Sequence, residues 1–174
     1  MPHIRRIYII GFMGSGKTTT GKKLAEGLNW EFIDLDLEIE ASAGQTISEI
    51  FSRSGEEYFR KLESELLHRL DIKEDTVVSL GGGTPCFSDN MDYINKTGIS
   101  VYLKMTPAQL SKRLSIESGE RPLLKNIPEK DRRLYITAKL SEREIHYNKA
   151  SIIVNAGNLR IGNLISRLES IMQK

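Results

Sequence analysis

Short apolar bursts alternate with longer stretches of three-to-four-residue periodicity along the whole chain. Residues 4–10, 30–34, 76–80, 99–104 and 151–154 read as strands, rich in β-branched and aromatic positions. The stretches between them read as helices. Lys17 to Gly27 carries an apolar stripe at Leu24, Ala25 and, just beyond, Leu28. Thr46-Ile47-Ser48-Glu49 and Ser54-Gly55-Glu56-Glu57 both have capping-box form, which predicts helix starts at each. The second leads into a helical stripe of Phe59, Leu62, Leu66, Leu67 and Leu70. Thr106-Pro107 predicts an N-cap followed by proline at the first helical position. Residues 131–147 form a charged helix and 159–172 an amphipathic one. Strands alternating with helices predict an α/β fold on a parallel sheet.

Two segments break this rhythm. Residues 36–62 read as a helical insertion after the second strand. Residues 115–130 are polar and interrupted by Gly119 and Pro122, which reads as a lid, with a plain surface loop as the alternative.

The bulk properties narrow the class. At 174 residues the chain is expected to form one domain with an adequate core. A formal net charge of +2 gives no electrostatic bias toward nucleic acid or a membrane surface. Cys86 is the only cysteine, which leaves no internal disulfide and argues against a zinc site. No run approaches the ~20 apolar residues of a membrane span. Arg5 and Arg6 precede an apolar stretch, but residues 7–13 are too short for a signal peptide and lack a cleavage site. A cytoplasmic location is therefore expected.

Chemistry enters at Gly11-Phe12-Met13-Gly14-Ser15-Gly16-Lys17-Thr18, which fits the phosphate-binding pattern Gly-x-x-x-x-Gly-Lys-[Ser/Thr]. Glycines let the backbone turn through positive φ and leave no Cβ between peptide and ligand. Successive N–H groups then form an anion nest ahead of a helix N-terminus. Lys17 is expected on the β- and γ-phosphates, and the Thr18 hydroxyl on Mg²⁺. Gly14, Ser15, Gly16 and Thr19 complete the nucleotide-binding set. The predicted strand before and helix after are the context this loop requires.

Asp34-Leu35-Asp36 falls at the end of the second strand, where alternation would put both carboxylates on one face. One could hold Mg²⁺ through water and the other accept a proton from a substrate hydroxyl. Alone, the pair equally fits an ordinary solvated turn. Gly81-Gly82-Gly83 follows the third strand and suggests backbone lying close to a ligand, with a plain tight turn as the alternative. Ser79 stands where many phosphate-loop proteins carry an aspartate. Arg60 and Arg143 lie on helices whose exposed faces would also accommodate them, and Arg121 lies in the polar segment.

Taken together these residues resemble shikimate kinase. The matching positions are the phosphate loop, Asp34-Leu35-Asp36 with Ile39-Glu40, Ile50-Phe51, Gly55-Glu56, Phe59-Arg60 and Glu63. They continue with Gly81-Gly82-Gly83, Arg121-Pro122-Leu123-Leu124, and Arg143 with Tyr147. The resemblance runs in order over nearly the whole chain. It implies a three-layer P-loop kinase fold with a central five-stranded parallel sheet. It implies an ATP- and Mg²⁺-dependent enzyme that phosphorylates the 3-hydroxyl of shikimate in aromatic amino-acid biosynthesis, and a monomer. It assigns Asp36, Arg60, Gly82 and Arg143 to the acceptor, with Asp36 activating the attacking hydroxyl. Asp34 is the water-mediated Mg²⁺ partner, Glu63 orients Arg60, and Arg121 reaches the ATP phosphates. Arg113 and the turn 155–158 are implied near adenine.

Two rivals compete with this reading. One is a kinase of the same fold acting on gluconate or a nucleoside monophosphate. A phosphate-bearing acceptor calls for a denser arginine cluster, and a polyol needs no carboxylate clamp. The other is a nucleotide-binding regulatory module, which needs neither an acceptor base nor Arg121.

Overall fold

A computed structural model describes residues 5–70, 72–116, 124 and 127–173. The elements run β1 (Arg6–Ile10), α1 (Lys17–Leu28), β2 (Glu31–Asp34), α2 (Leu35–Ala43), α3 (Ile47–Arg69) and β3 (Thr76–Ser79). A 3-10 turn (Thr84–Cys86) leads to α4 (Asn90–Thr97), β4 (Ile99–Lys104), α5 (Pro107–Ile116), α6 (Glu129–Tyr147), β5 (Ile152–Asn155) and α7 (Ile161–Met172). All five strands pair in parallel, in the order β2-β3-β1-β4-β5.

The pleat sorts β1 between two cores. Ile7 and Ile9 pack with Leu24, Ala25, Leu164 and Leu168 from α1 and α7. Tyr8 and Ile10 point the other way, into a core with Leu35, Ile39, Phe59, Leu110, Ile136 and Tyr147. Helices thus cover both faces, and the central strand has no polar face because it has no solvent face. The three-layer α/β architecture expected from the sequence is the observed one. The predicted strands are met within two residues of their ends, residue 4 lying outside the described residues.

Gly21 on α1 faces the sheet, where an added Cβ would stand 2.6 Å from Phe32 Cε2. The close approach of helix to sheet is the reason for glycine there. Trp30 leads into β2 at the N-terminal edge of the sheet, with the Arg5 guanidinium 5.9 Å from its ring centre. Among the described residues no helix is long and apolar enough to cross a membrane.

The expected insertion consists of α2 and the first part of α3. Thr46 caps α3 through a reciprocal pair. Its hydroxyl accepts from Glu49 N at 3.2 Å, while Glu49 Oε2 accepts from Thr46 N at 2.8 Å. Glu40 ties α2 to the same helix start by accepting from Ile47 N at 2.9 Å. The second predicted start appears as a break inside α3: Gly55 leaves the helical conformation at φ 81°, ψ 172°. Replacing Thr46 with Ala removes one acceptor for the first turn, at a cost of about 0.5–2 kcal/mol. Urea unfolding should show a lower midpoint for Thr46→Ala and a near-normal one for Thr46→Ser.

Candidate active site

The C-terminal ends of β1, β2 and β3 open onto one cleft, as expected for a parallel sheet. After β1 the chain turns through Gly14 (φ 77°) and Gly16 (φ 86°), a region that residues with a Cβ occupy only under strain. Gly16 is the N-cap of α1, and no side chain caps that helix start. Its leading N–H groups are therefore available to an anion. Lys17 Nζ donates to the Phe12 carbonyl at 3.0 Å, which holds the side chain back along the loop. Ser15 Oγ is buried in the loop without a hydrogen-bond partner.

Asp34 works at two places. Its Oδ2 accepts from the Thr18 hydroxyl at 2.7 Å, and its Oδ1 accepts from Asp36 N at 3.1 Å as the N-cap of α2. Strand alternation is not what pairs the two aspartates. The strand ends at Asp34 and a helix begins at Leu35, so Asp36 occupies the first helical turn. The helix cap, not the pleat, turns both toward the cleft, and both line it.

The far side of the cleft is built on α3 and α6. Arg60 and Arg143 are buried. Arg60 Nη1 donates to Glu63 Oε2 at 2.9 Å, and its Nε and Nη2 reach Glu56 Oε1 at 3.3 and 3.2 Å. The ring centres of Phe87 and Phe59 lie 4.7 and 5.0 Å from the Arg60 guanidinium carbon. Arg143 lies 5.3 Å from the Phe12 ring centre. The triple glycine threads between these groups. A Cβ on Gly83 would collide with the Arg60 guanidinium. One on Gly81 would stand 2.6 Å from Glu63 Oε1 and 2.9 Å from Asp36 Oδ1.

One cavity of about 430 Å³ is lined by Gly14, Gly16, Lys17, Thr18, Thr19, Asp34, Asp36, Arg60, Gly82 and Arg143. Of the predicted site residues, Ser15 lies beneath the loop, and Arg121 falls outside the described residues, as does most of segment 115–130. Ser79 also lines the cavity, at the end of β3. Arg113 reaches the rim of the phosphate loop, Nη1 donating to Gly14 O at 3.4 Å.

Sequence reasoning missed the polar groups behind the arginines. Thr84 Oγ1 donates to Glu63 Oε1 at 2.6 Å, and Asn90 Nδ2 donates to Thr84 O at 2.8 Å. Ser64 Oγ donates to Asn90 Oδ1 at 2.8 Å. No spacing rule links these positions, which come from two helices and a turn.

An uncapped helix start on one side of a cleft and two guanidiniums with a carboxylate on the other suit phosphoryl transfer to a small anionic acceptor. With the sheet order and the phosphate loop, they define the chain as a P-loop kinase. More narrowly, it belongs to the shikimate kinase family, which its sequence matches over residues 13–172. It is 39% identical to the shikimate kinase of Parabacteroides distasonis over 171 residues, covering 98% of this chain and 99% of that one. The crystal structure of shikimate kinase from Bacteroides thetaiotaomicron superposes with a TM-score of 0.87 at 40% identity, over 97% of this chain and 98% of that one. Shikimate kinase from Acinetobacter baumannii in complex with shikimate gives a TM-score of 0.85 at 31% identity, over 98% and 93% of the two chains.

Burial pushes the Cys86 thiol up to about 11, although the Arg143 and Arg60 charges pull the other way. At pH 8 its thiolate fraction is then about 0.1%, against roughly a quarter for an ordinary thiol. Alkylation by iodoacetamide at pH 8, followed by mass spectrometry, should run on the order of 100-fold slower than for the denatured chain.

Proposed function

We propose that the chain transfers the γ-phosphoryl group of ATP to the 3-hydroxyl of shikimate, giving shikimate 3-phosphate. The observation that carries this reading is the pair Arg60 and Arg143 lining the same cleft as Asp36, beside the phosphate loop. Two guanidiniums suit a carboxylate-bearing acceptor, because planar forks pair with planar carboxylates. The likeness to the shikimate complex of the Acinetobacter baumannii enzyme supports the same acceptor.

In this reading the first-turn amides of α1 and Lys17 hold the ATP phosphates. Lys17 exchanges its contact with Phe12 O for phosphate oxygens. Gly14, Ser15, Gly16, Thr18 and Thr19 supply the rest of the nest. Arg60, Arg143 and Gly82 fix the acceptor, and Asp36 accepts the proton of the attacking hydroxyl. Positioning and charge stabilisation carry most of the rate. Arg121 is assigned to the phosphates by resemblance alone, within a lid at 115–130. The same resemblance makes the protein a cytoplasmic monomer acting on small molecules.

Mg²⁺ fits the donor set. The Thr18 hydroxyl and Asp34 carboxylate are hard oxygen donors already 2.7 Å apart. Among the described residues no group of three or more His, Cys, Asp or Glu could hold a metal alone. That suits an ion carried in on nucleotide phosphates. When bound, Mg²⁺ would neutralise charge on the phosphate oxygens.

A coupled ADP-release assay should give shikimate-dependent turnover and none with gluconate or nucleoside monophosphates. Turnover with either of the latter alone would overturn the reading. Asp36→Asn keeps the shape of the side chain but cannot take the proton. Its turnover should fall by about 10²–10⁴, with ADP affinity by calorimetry nearly unchanged. Arg143→Ala should weaken shikimate binding by about 2–5 kcal/mol and leave ADP binding intact in the same titrations.

A further inference from the structure

One buried group at the cleft has no part in the mechanism above. Tyr147 ends α6, one helical turn beyond Arg143, and has no solvent exposure. Its hydroxyl donates to the Gly82 carbonyl. Gly82 is where three parts of the site meet. A Cβ there would stand 3.2 Å from Met13 N, 3.4 Å from Gly11 O and 3.3 Å from Arg143 Nη1. The phosphate loop, the glycine loop and the acceptor arginine therefore converge on one peptide unit.

Three consecutive glycines have no side chains with which to anchor themselves, and glycine has the most backbone freedom to lose. The 3-10 turn that follows holds two of their carbonyls, Thr84 N donating to Gly81 O at 3.2 Å and Cys86 N to Gly83 O at 2.8 Å; the Gly82 carbonyl is held from outside. Beyond its far end, Asn90 holds the Thr84 carbonyl at 2.8 Å. At Gly82 the tether comes from Tyr147.

We propose that Tyr147 is a positioning residue for the phosphoryl transfer. By holding the Gly82 carbonyl it fixes the glycine loop against the phosphate loop, and its place on α6 sets Arg143 in the same register. The acceptor is thereby kept at a constant distance from the donor phosphate. This rests on the shikimate reading above.

The ring is suited to the task. Tyr102 packs against it with centroids 4.9 Å apart, so the hydroxyl has little room to swing. Burial raises the Tyr147 phenol above its ordinary value, so it stays a proton donor across the working pH range. Tyr102 provides the contrast. It is equally buried, but its hydroxyl donates to Glu144 Oε1 at 3.2 Å and not to the glycine loop.

The test compares Tyr147→Phe with Tyr102→Phe, each losing one buried hydroxyl and keeping its ring. Tyr147→Phe should raise KM for shikimate roughly 3–10-fold, the range expected for one lost hydrogen bond. KM for ATP should stay within about two-fold, and Tyr102→Phe should move neither constant by more than that. Amide hydrogen exchange over residues 81–84 in the ligand-free protein should be faster in Tyr147→Phe only. The exchange measurement needs no substrate, so it judges the tether even if wild-type protein proves inactive on shikimate, a result that would instead overturn the acceptor reading. Unchanged exchange at 81–84 overturns the proposal, as does an equal shift of the shikimate KM in both variants.

Discussion

Glu63 has no solvent exposure, and both of its carboxylate oxygens are engaged, one by Arg60 and one by Thr84. A carboxylate at that depth is tolerable only when its charge is matched and its lone pairs are met. This constraint organises the Arg60 side of the cleft. It fixes where the Arg60 guanidinium lies and requires Thr84 to turn its hydroxyl inward. It also forces glycine at positions 81 and 83, where a Cβ would strike Glu63 or Arg60. Removing Glu63 would leave a guanidinium among three aromatic rings with, among the described residues, the half-exposed Glu56 as its remaining carboxylate partner. Removing Arg60 would leave a buried anion, typically a loss of about 3–5 kcal/mol.

The phosphate-loop side obeys a different constraint. β1 is covered on both faces and hydrogen-bonded along both edges to β3 and β4, so apolar packing and the sheet ladder together set its position. The phosphate loop leaves this most firmly held strand, and α1 is locked to the sheet through the contact at Gly21 and Phe32. The central strand thus carries the phosphate loop, and a buried polar network holds Arg60. The two meet at the glycine loop, whose backbone touches both.

The sequence made some of this plain and concealed the rest, for physical reasons. The phosphate loop was legible because its chemistry lies in eight consecutive residues. Strands β1, β3 and β4 were legible because burial on both faces leaves near-continuous runs of β-branched and apolar residues, whereas the part-exposed edge strands β2 and β5 showed only short apolar bursts. Asp36 lines the same cleft as Asp34, but for another local reason than the one expected: helix capping by Asp34 imitates the outcome of strand alternation. Helix α4 went unread, since Asn-Met-Asp-Tyr-Ile-Asn-Lys-Thr is short and poor in helix formers. The chain Ser64–Asn90–Thr84–Glu63 was invisible, because its bonded pairs lie up to 26 residues apart and no periodicity relates them. Glu63 and Arg60 are one turn apart on a helix, yet only resemblance to a family suggested that they act together.

Trp30 gives the fold a built-in reporter of a particular kind. It is the sole tryptophan, and it sits at the N-terminal edge of the sheet while the cleft opens at the other. The strand between it and Asp34 spans about 13 Å. Its indole is half-buried against the core shared by α1 and α7, near the Arg5 guanidinium, and is not among the residues that line the cleft. Its fluorescence therefore follows the melting of that core and not the filling of the site. Emission spectra will separate a variant that has lost its fold from one that has lost only its chemistry, whereas ligand titrations call for a chromophore introduced elsewhere.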